Sequence, residues 1–299
     1  MPFIADTDNE KLVRELWPKK IGMRDYHPLE FQRCLPWERC PKDMEELLSW
    51  AYFTHNRAMS ELAWKPFIFA HLSQNPYDLF PGRRVEEVTL RIQGFVEDSE
   101  LDGAGNWDGA KETAADAAQS LTLGGGEFAD VFAHQVEAVK NISELGKRSI
   151  CPRARDDWAD DMTKDGKILF RRKLFRQRVN TSLTPTSLNK FADEASMTSL
   201  ESDVMDERKL VFRTMCPEGE LWNTTSEMIR INDFVEVHTF VRVLMKVEPN
   251  GLPRPYLVLH PTAVVRLSSA REIAQILKAA KEEDNEAGKE VEKEVDLLE

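Results

Sequence analysis

The dipeptide Asn250-Gly251, set between the apolar runs Phe234–Val247 and Pro255–Leu267, constrains this chain more than any other feature. Both residues tolerate positive φ, so Asn-Gly between runs rich in Val, Leu and Phe is the strongest short-range signal of a β-hairpin. Directly after it, Ser268 or Ser269 can cap a helix with Glu272 in its first turn. Ile273, Ile276, Leu277 and Ala280 give that helix one apolar face.

Upstream, the hydrophobic period switches. Met44, Leu47, Leu48, Ala51, Tyr52, Met59 and Leu62 recur at helical spacing, with Pro41 at the start and Pro66 as a stop, so residues 42–64 are expected to be a helix. Phe67–Leu72 reads as a short apolar turn. Arg83–Glu97 is expected to be a strand because Val88–Ile92 alternates strictly, with Gly94 marking a bulge or tight curl. Asp98–Gly126 is rich in Gly and Ala and reads as a mobile excursion, with helix propensity over Ala110–Leu121. Phe128, Phe132, Val136, Val139 and Ile142 form a helical stripe that closes near Gly146. Cys151–Asp165 reads as a charged loop, Lys167–Val179 and Lys209–Met215 as strands, and Asn180–Asp206 as a flexible linker.

The fold class is therefore α+β. A helical N-terminal region, 1–82, precedes a β-barrel domain, 83–280, that carries an insertion at 98–165 and a flexible segment at 180–206. A charged tail, 281–299, follows. Hydrophobic residues make up 41% and charged residues 31% of the chain, enough apolar material for a core. No run approaches the roughly 20 apolar residues of a membrane helix. Met1–Glu10 has neither a basic n-region nor an apolar h-region. The expectation is a nuclear or cytoplasmic protein, not secreted and without a membrane partner. Cys34, Cys40, Cys151 and Cys216 then read as thiols. The net charge of −12 argues against indiscriminate phosphate binding, although Lys164–Ala270 is mildly basic and Arg271–Glu299 acidic.

Two pieces of the chain carry a resemblance. The first is Glu87-Val88-Thr89-Leu90-Arg91-Ile92-Gln93-Gly94-Phe95-Val96. The second is Asn232-Asp233-Phe234-Val235-Glu236-Val237, followed by Tyr256-Leu257-Val258-Leu259-His260 and a closing helix. Together they resemble the OB-fold domains of the replication protein A middle subunit and its telomere-capping relatives. The match covers about a third of the chain. His238-Thr239-Phe240 stands where that family has a glycine, and the family's acidic segment before its middle strands is replaced by the insertion. The resemblance implies an antiparallel OB-like β-barrel with N-terminal helices, a long partly helical insertion and a C-terminal helix that mediates subunit assembly.

Lys167, Phe170, Arg171, Arg172, Lys173, Phe175, Arg176 and Arg178 interleave cations with rings, the combination that single-strand binders use for phosphate and base. On a strand Phe170 and Phe175 point to opposite faces, so they cannot stack on one ligand, and a solvated strand or a nuclear-import patch fits the same residues. Ile273, Ile276 and Leu277 can dock a partner or pack on their own domain. His27, Cys34, Cys40 and His55 lack the tight cysteine spacing of a zinc knuckle and read as packed histidines and buried thiols. Asp156, Asp157, Asp160, Asp161 and Asp165 form an acidic loop without a phosphate loop beside it, and Gly124-Gly125-Gly126 reads as a hinge. Neither a metal nor a cofactor is expected.

These readings favour a non-enzymatic binding or adaptor subunit of an intracellular assembly. Its expected partners are another protein or a second copy, and single-stranded nucleic acid. The alternatives are a self-assembling capsid- or nucleocapsid-type protein, and an enzyme that brings His238, His260 and the Asp156–Asp161 cluster together.

Overall fold

The computed structural model describes residues 1–23, 30–55, 67–72, 87–110, 117–150, 162–174, 209–216, 219–247 and 253–279. The predicted turn at Asn250-Gly251, the linker at 180–206, the Asp156–Asp161 cluster and the tail lie outside them, as do His27, Cys151, Phe175, Arg176 and Arg178.

The N-terminal layer contains β1 (Phe3–Asp6), β2 (Lys11–Leu12), a one-turn helix α1 (Val13–Leu16), β3 (Arg39–Pro41), α2 (Met44–Trp50), β4 (Ala51–His55) and β5 (Phe67–His71). After it come β6 (Thr89–Glu100), β7 (Ala118–Gly124), α3 (Ala129–Ile150), β8 (Thr163–Lys164), β9 (Lys167–Lys173), β10 (Val211–Met215) and β11 (Leu221–Asn223). Two long strands, β12 (Phe234–Val247) and β13 (Pro253–Ser268), lead into a helix, α4, at 270–279. The architecture is α+β and mostly sheet.

Five strands close on themselves. β6 pairs with β7, β7 with β9, β9 with β13, β13 with β12, and β12 with β6. The expectation of an antiparallel ring needs one correction: β9 and β13 run parallel, at Phe170 opposite Leu259. An odd number of strands cannot alternate direction all the way round a closed ring, so one neighbouring pair must share its direction. Leu90, Ile92, Leu121, Ile168, Phe170 and Val264, drawn from all five strands but β12, are buried in one cluster with Val235 and Val237 of β12. The predicted hairpin is the longest pairing, from Phe234 opposite Ser268 to Val247 opposite Pro253.

Three expectations shift. The helix expected over 42–64 stops at Trp50, and Ala51–His55 pairs antiparallel with Phe67–His71, the segment expected to be a turn. That pairing buries Phe53 against Phe69, with ring centroids 5.3 Å apart. Sheet burial of aromatic side chains outweighs the helical spacing here. The described residues of the N-terminal region accordingly form strands as well as helices. The excursion expected over 98–126 contains β7, an integral strand of the ring, and no helix is formed by its described residues. The helix expected to close near Gly146 runs on to Ile150, because Gly146 serves close packing: a methyl there would lie 2.6 Å from a Leu257 methyl.

Gly94 likewise marks contact rather than a bulge. Its missing Cβ admits the Phe132 ring of α3, while the register shift in the β6–β7 pairing falls between Val96 and Asp98. At Gln93, beyond the last β7 pair, the backbone is completed by a side chain. Gln135 Nε2 donates to the Gln93 carbonyl at 2.6 Å, and its Oε1 accepts from the Gln93 N–H at 2.9 Å. The amide of α3 thus stands in for a neighbouring strand and fixes the helix across the ring.

Candidate nucleic-acid interface

Strand β9 is read by its alternation. Ile168, Phe170 and Arg172 are buried, whereas Lys167, Leu169, Arg171 and Lys173 are half-exposed. The period of two places every second side chain on the solvent side of the ring. Of the eight residues expected to contact nucleic acid, Lys167, Arg171 and Lys173 therefore share an outward face. Phe170, 1% exposed, and Arg172, 6% exposed, are removed from that surface because they fall on the inward set.

The neighbouring strand β7 continues the face. Half-exposed Ser120 lies opposite Arg171 and half-exposed Thr122 opposite Leu169, whereas Ala118, opposite Lys173, is buried. Lys164 of β8 is exposed and sits opposite Lys167. The two strands are joined by Asp165 (φ 52°) and Gly166 (φ 74°), the left-handed pair of a tight hairpin. Asp-Gly inside Thr163-Lys164-Asp165-Gly166-Lys167-Ile168 is a hairpin signal, and the charged loop expected over Cys151–Asp165 ends within that hairpin.

Acidic groups border the cations on β6. Ser120 Oγ donates to Glu100 Oε2 at 3.3 Å. Glu97, the residue at the register shift, reaches past β7 and forms an ion pair with Lys167. That hydrogen bond to Glu97 raises the Lys167 pKa. The crossing is possible because β7 ends in Gly124, where a methyl group would collide with the Glu97 carboxylate.

An aromatic residue that periodicity did not single out follows the segment that meets the start of β7. The loop after β6 folds back on the start of β7: Asn106 N–H donates to the Ala118 carbonyl at 3.1 Å, and Asn106 Oδ1 accepts from Ala118 N–H at 2.8 Å. The next residue, Trp107, is half-buried and its Nε1 donates to the Ala110 carbonyl at 2.8 Å. Ala118 pairs on its other edge with Lys173, so Asn106 and Lys173 are separated by two strand spacings, about 10 Å.

The remaining expected sites are placed elsewhere. Ser269 N–H donates to Glu272 Oε2 at 2.7 Å and Ser269 Oγ accepts from the Glu272 N–H at 3.3 Å, forming the expected capping box. Ile273 belongs to the core cluster, and Ile276 and Leu277 pack half-buried against it. The face expected to dock a partner thus packs on this chain. Cys34 and Cys40 are buried free thiols, and burial pushes the pKa of both up. Among the described residues no three metal-ligating side chains converge, and no helix is long and apolar enough to cross a membrane. Gly126 takes φ 57° in the turn from β7 to α3, so the three glycines make an ordered connection.

A buried charged cluster lies under the N-terminal layer. Glu236, 1% exposed, accepts from Arg91 Nε at 2.7 Å, from Gln93 Nε2 at 2.9 Å, and meets His238 Nε2 at 2.9 Å. Burial alone would raise its pKa. The His238 hydrogen bond and the Arg91 charge outweigh that and hold the carboxyl at about 2.

No protein-family model and no curated protein matches the chain. Among solved structures, a single-stranded DNA-binding protein from bacteriophage Enc34 matches over 60% of this chain and 81% of its own, at 15% identity and a TM-score of 0.32. A likeness of that order assigns neither fold nor ligand to this chain.

Proposed function

We propose that this chain binds single-stranded nucleic acid, without catalysis, on the outward face of β7 and β9, and that its five-stranded ring is an OB-type barrel. The observation that carries the reading is the alternation of β9, which presents Lys167, Arg171 and Lys173 beside the uncharged Ser120 and Thr122. The second and third strands of an OB barrel form its oligonucleotide platform, and in this ring those positions belong to β7 and β9. Cations spaced along a strand follow a phosphate backbone. Single strands suit this face better than duplex. Its cations lie on one strand, β9, bordered across β7 by Asp98 and Glu100, and among the described residues no helix belongs to this face to enter a major groove.

Fluorescence anisotropy of a labelled oligothymidine tests the proposal. With Arg171 and Lys173 both changed to Ala, affinity is expected to fall at low salt. The slope of log affinity against log salt is expected to shrink by about 1.4, two phosphate contacts at roughly 0.7 each. Equal affinity and slope for both proteins, with unfolding unchanged, would defeat the assignment of this face.

A further inference from the structure

We propose that Glu97 sets the affinity of the interface by holding Lys167 in the free protein, so that Lys167 serves a phosphate only after the carboxylate is displaced. The proposal rests on the nucleic-acid reading above and adds a residue that the cationic pattern does not contain.

Three features of the fold converge on this contact. The register shift between Val96 and Asp98 makes Glu97 the extra residue of β6, so it is not committed to a cross-strand pair. Gly124 leaves open the space that its carboxylate crosses. Lys167 lies on the far side of β7, first in the outward row of β9, and receives that carboxylate. The lysine side chain is 45% exposed and the glutamate 30%, so a phosphate oxygen from solvent can reach the same ammonium. Both anions are acceptors for one cation, and an exposed pair of this kind is weak enough to exchange. Arg171 and Lys173 share the outward row of β9, and Lys167, at its start, joins the contact once a phosphate displaces the carboxylate. A neutral Ser or Thr at 97 would leave Lys167 available from the outset.

The test compares wild type, Glu97→Gln, Lys167→Ala and the double variant in oligothymidine titrations across salt, with Glu100→Gln as the charge control. Glu97→Gln is expected to tighten binding about two- to fivefold, the range of an exposed ion pair. It is also expected to steepen the salt slope by about 0.7, one further phosphate contact. The gain is expected to vanish in the Lys167→Ala background, and Glu100→Gln is expected to give a smaller gain that persists there. Gly124→Ala, which evicts the carboxylate without changing any charge, is expected to act like Glu97→Gln. Binding by wild type with no gain from Glu97→Gln, or the same gain with and without Lys167, overturns the role of Glu97 and leaves the interface standing. No binding by any of the proteins at low salt overturns the interface, and the role of Glu97 with it.

Discussion

Arg91→Ala is expected to destabilise the protein by about 3–5 kcal/mol, the usual effect of removing one partner from a buried ion pair. Arg91 pairs with a carboxylate that is 1% exposed, and its guanidinium also lies over the Phe3 ring, 3.9 Å from the centroid. Removing it leaves Glu236 charged in the interior with His238 and Gln93 as its remaining partners among the described residues, and takes a contact from the strand that anchors the N-terminal layer. Because the folded pKa of Glu236, about 2, lies below the ordinary glutamate value, the unfolded chain binds its proton more readily. The stabilisation is therefore complete above the unfolded pKa and is lost as pH falls towards 2. Arg91→Ala raises the folded pKa, so the variant should lose less on acidification than wild type does. Urea unfolding at neutral pH and near pH 3 measures both effects. A loss under about 1 kcal/mol at neutral pH, or an identical acid limb in both proteins, would contradict the account of this cluster.

Trp17→Ala should cost about 3–5 kcal/mol, the range for truncating a large buried aromatic side chain. Trp17 is 2% exposed and joins three parts of the fold. Its ring meets Phe234 of β12 edge-on at 4.9 Å, Phe95 of β6 at 5.9 Å, and Phe128 and Phe132 at the start of α3 at 6.4 and 6.5 Å. The indole Nε1 is buried and meets no hydrogen-bond partner among the described residues. Trp17→Phe discards that unsatisfied donor while keeping most of the ring contact, so it should cost well under half of the Ala change. Thermal unfolding of the two variants separates the cases: equal losses would mean that aromatic packing is not what Trp17 contributes.

The parts of this fold legible in the sequence were those with a local signal. The β12–β13 hairpin followed from Asn250-Gly251 and its flanks, and the Ser269–Glu272 capping box from spacing alone. The α3 stripe followed from Phe132, Val136 and Val139. What escaped was decided by distant contacts. Ala51–His55 continues a helical pattern yet pairs with Phe67–His71, because only the folded chain offers Phe53 the face of Phe69. Ser120-Leu121-Thr122-Leu123 alternates as a strand should, but the Ala-rich stretch before it hid the alternation. The parallel β9–β13 closure has no local signature.

The candidate site divides along the same line. The basic run was visible, and alternation on a strand separates Arg171 from Arg172 once the strand's inward side is known. The Glu97 contact spans three strands and depends on a register shift and a glycine far apart in sequence, so no spacing rule reports it.

The most direct measurement of the central claim is a lysine-protection footprint. The protein is acylated with a soluble amine-reactive ester, with and without saturating oligothymidine, and modified lysines are identified by mass spectrometry. An interface on β7 and β9 predicts protection at Lys167 and Lys173, with Lys11 and Lys140, exposed elsewhere on the fold, unchanged. Bound oligonucleotide that leaves Lys167 and Lys173 as reactive as in the free protein would contradict the claim.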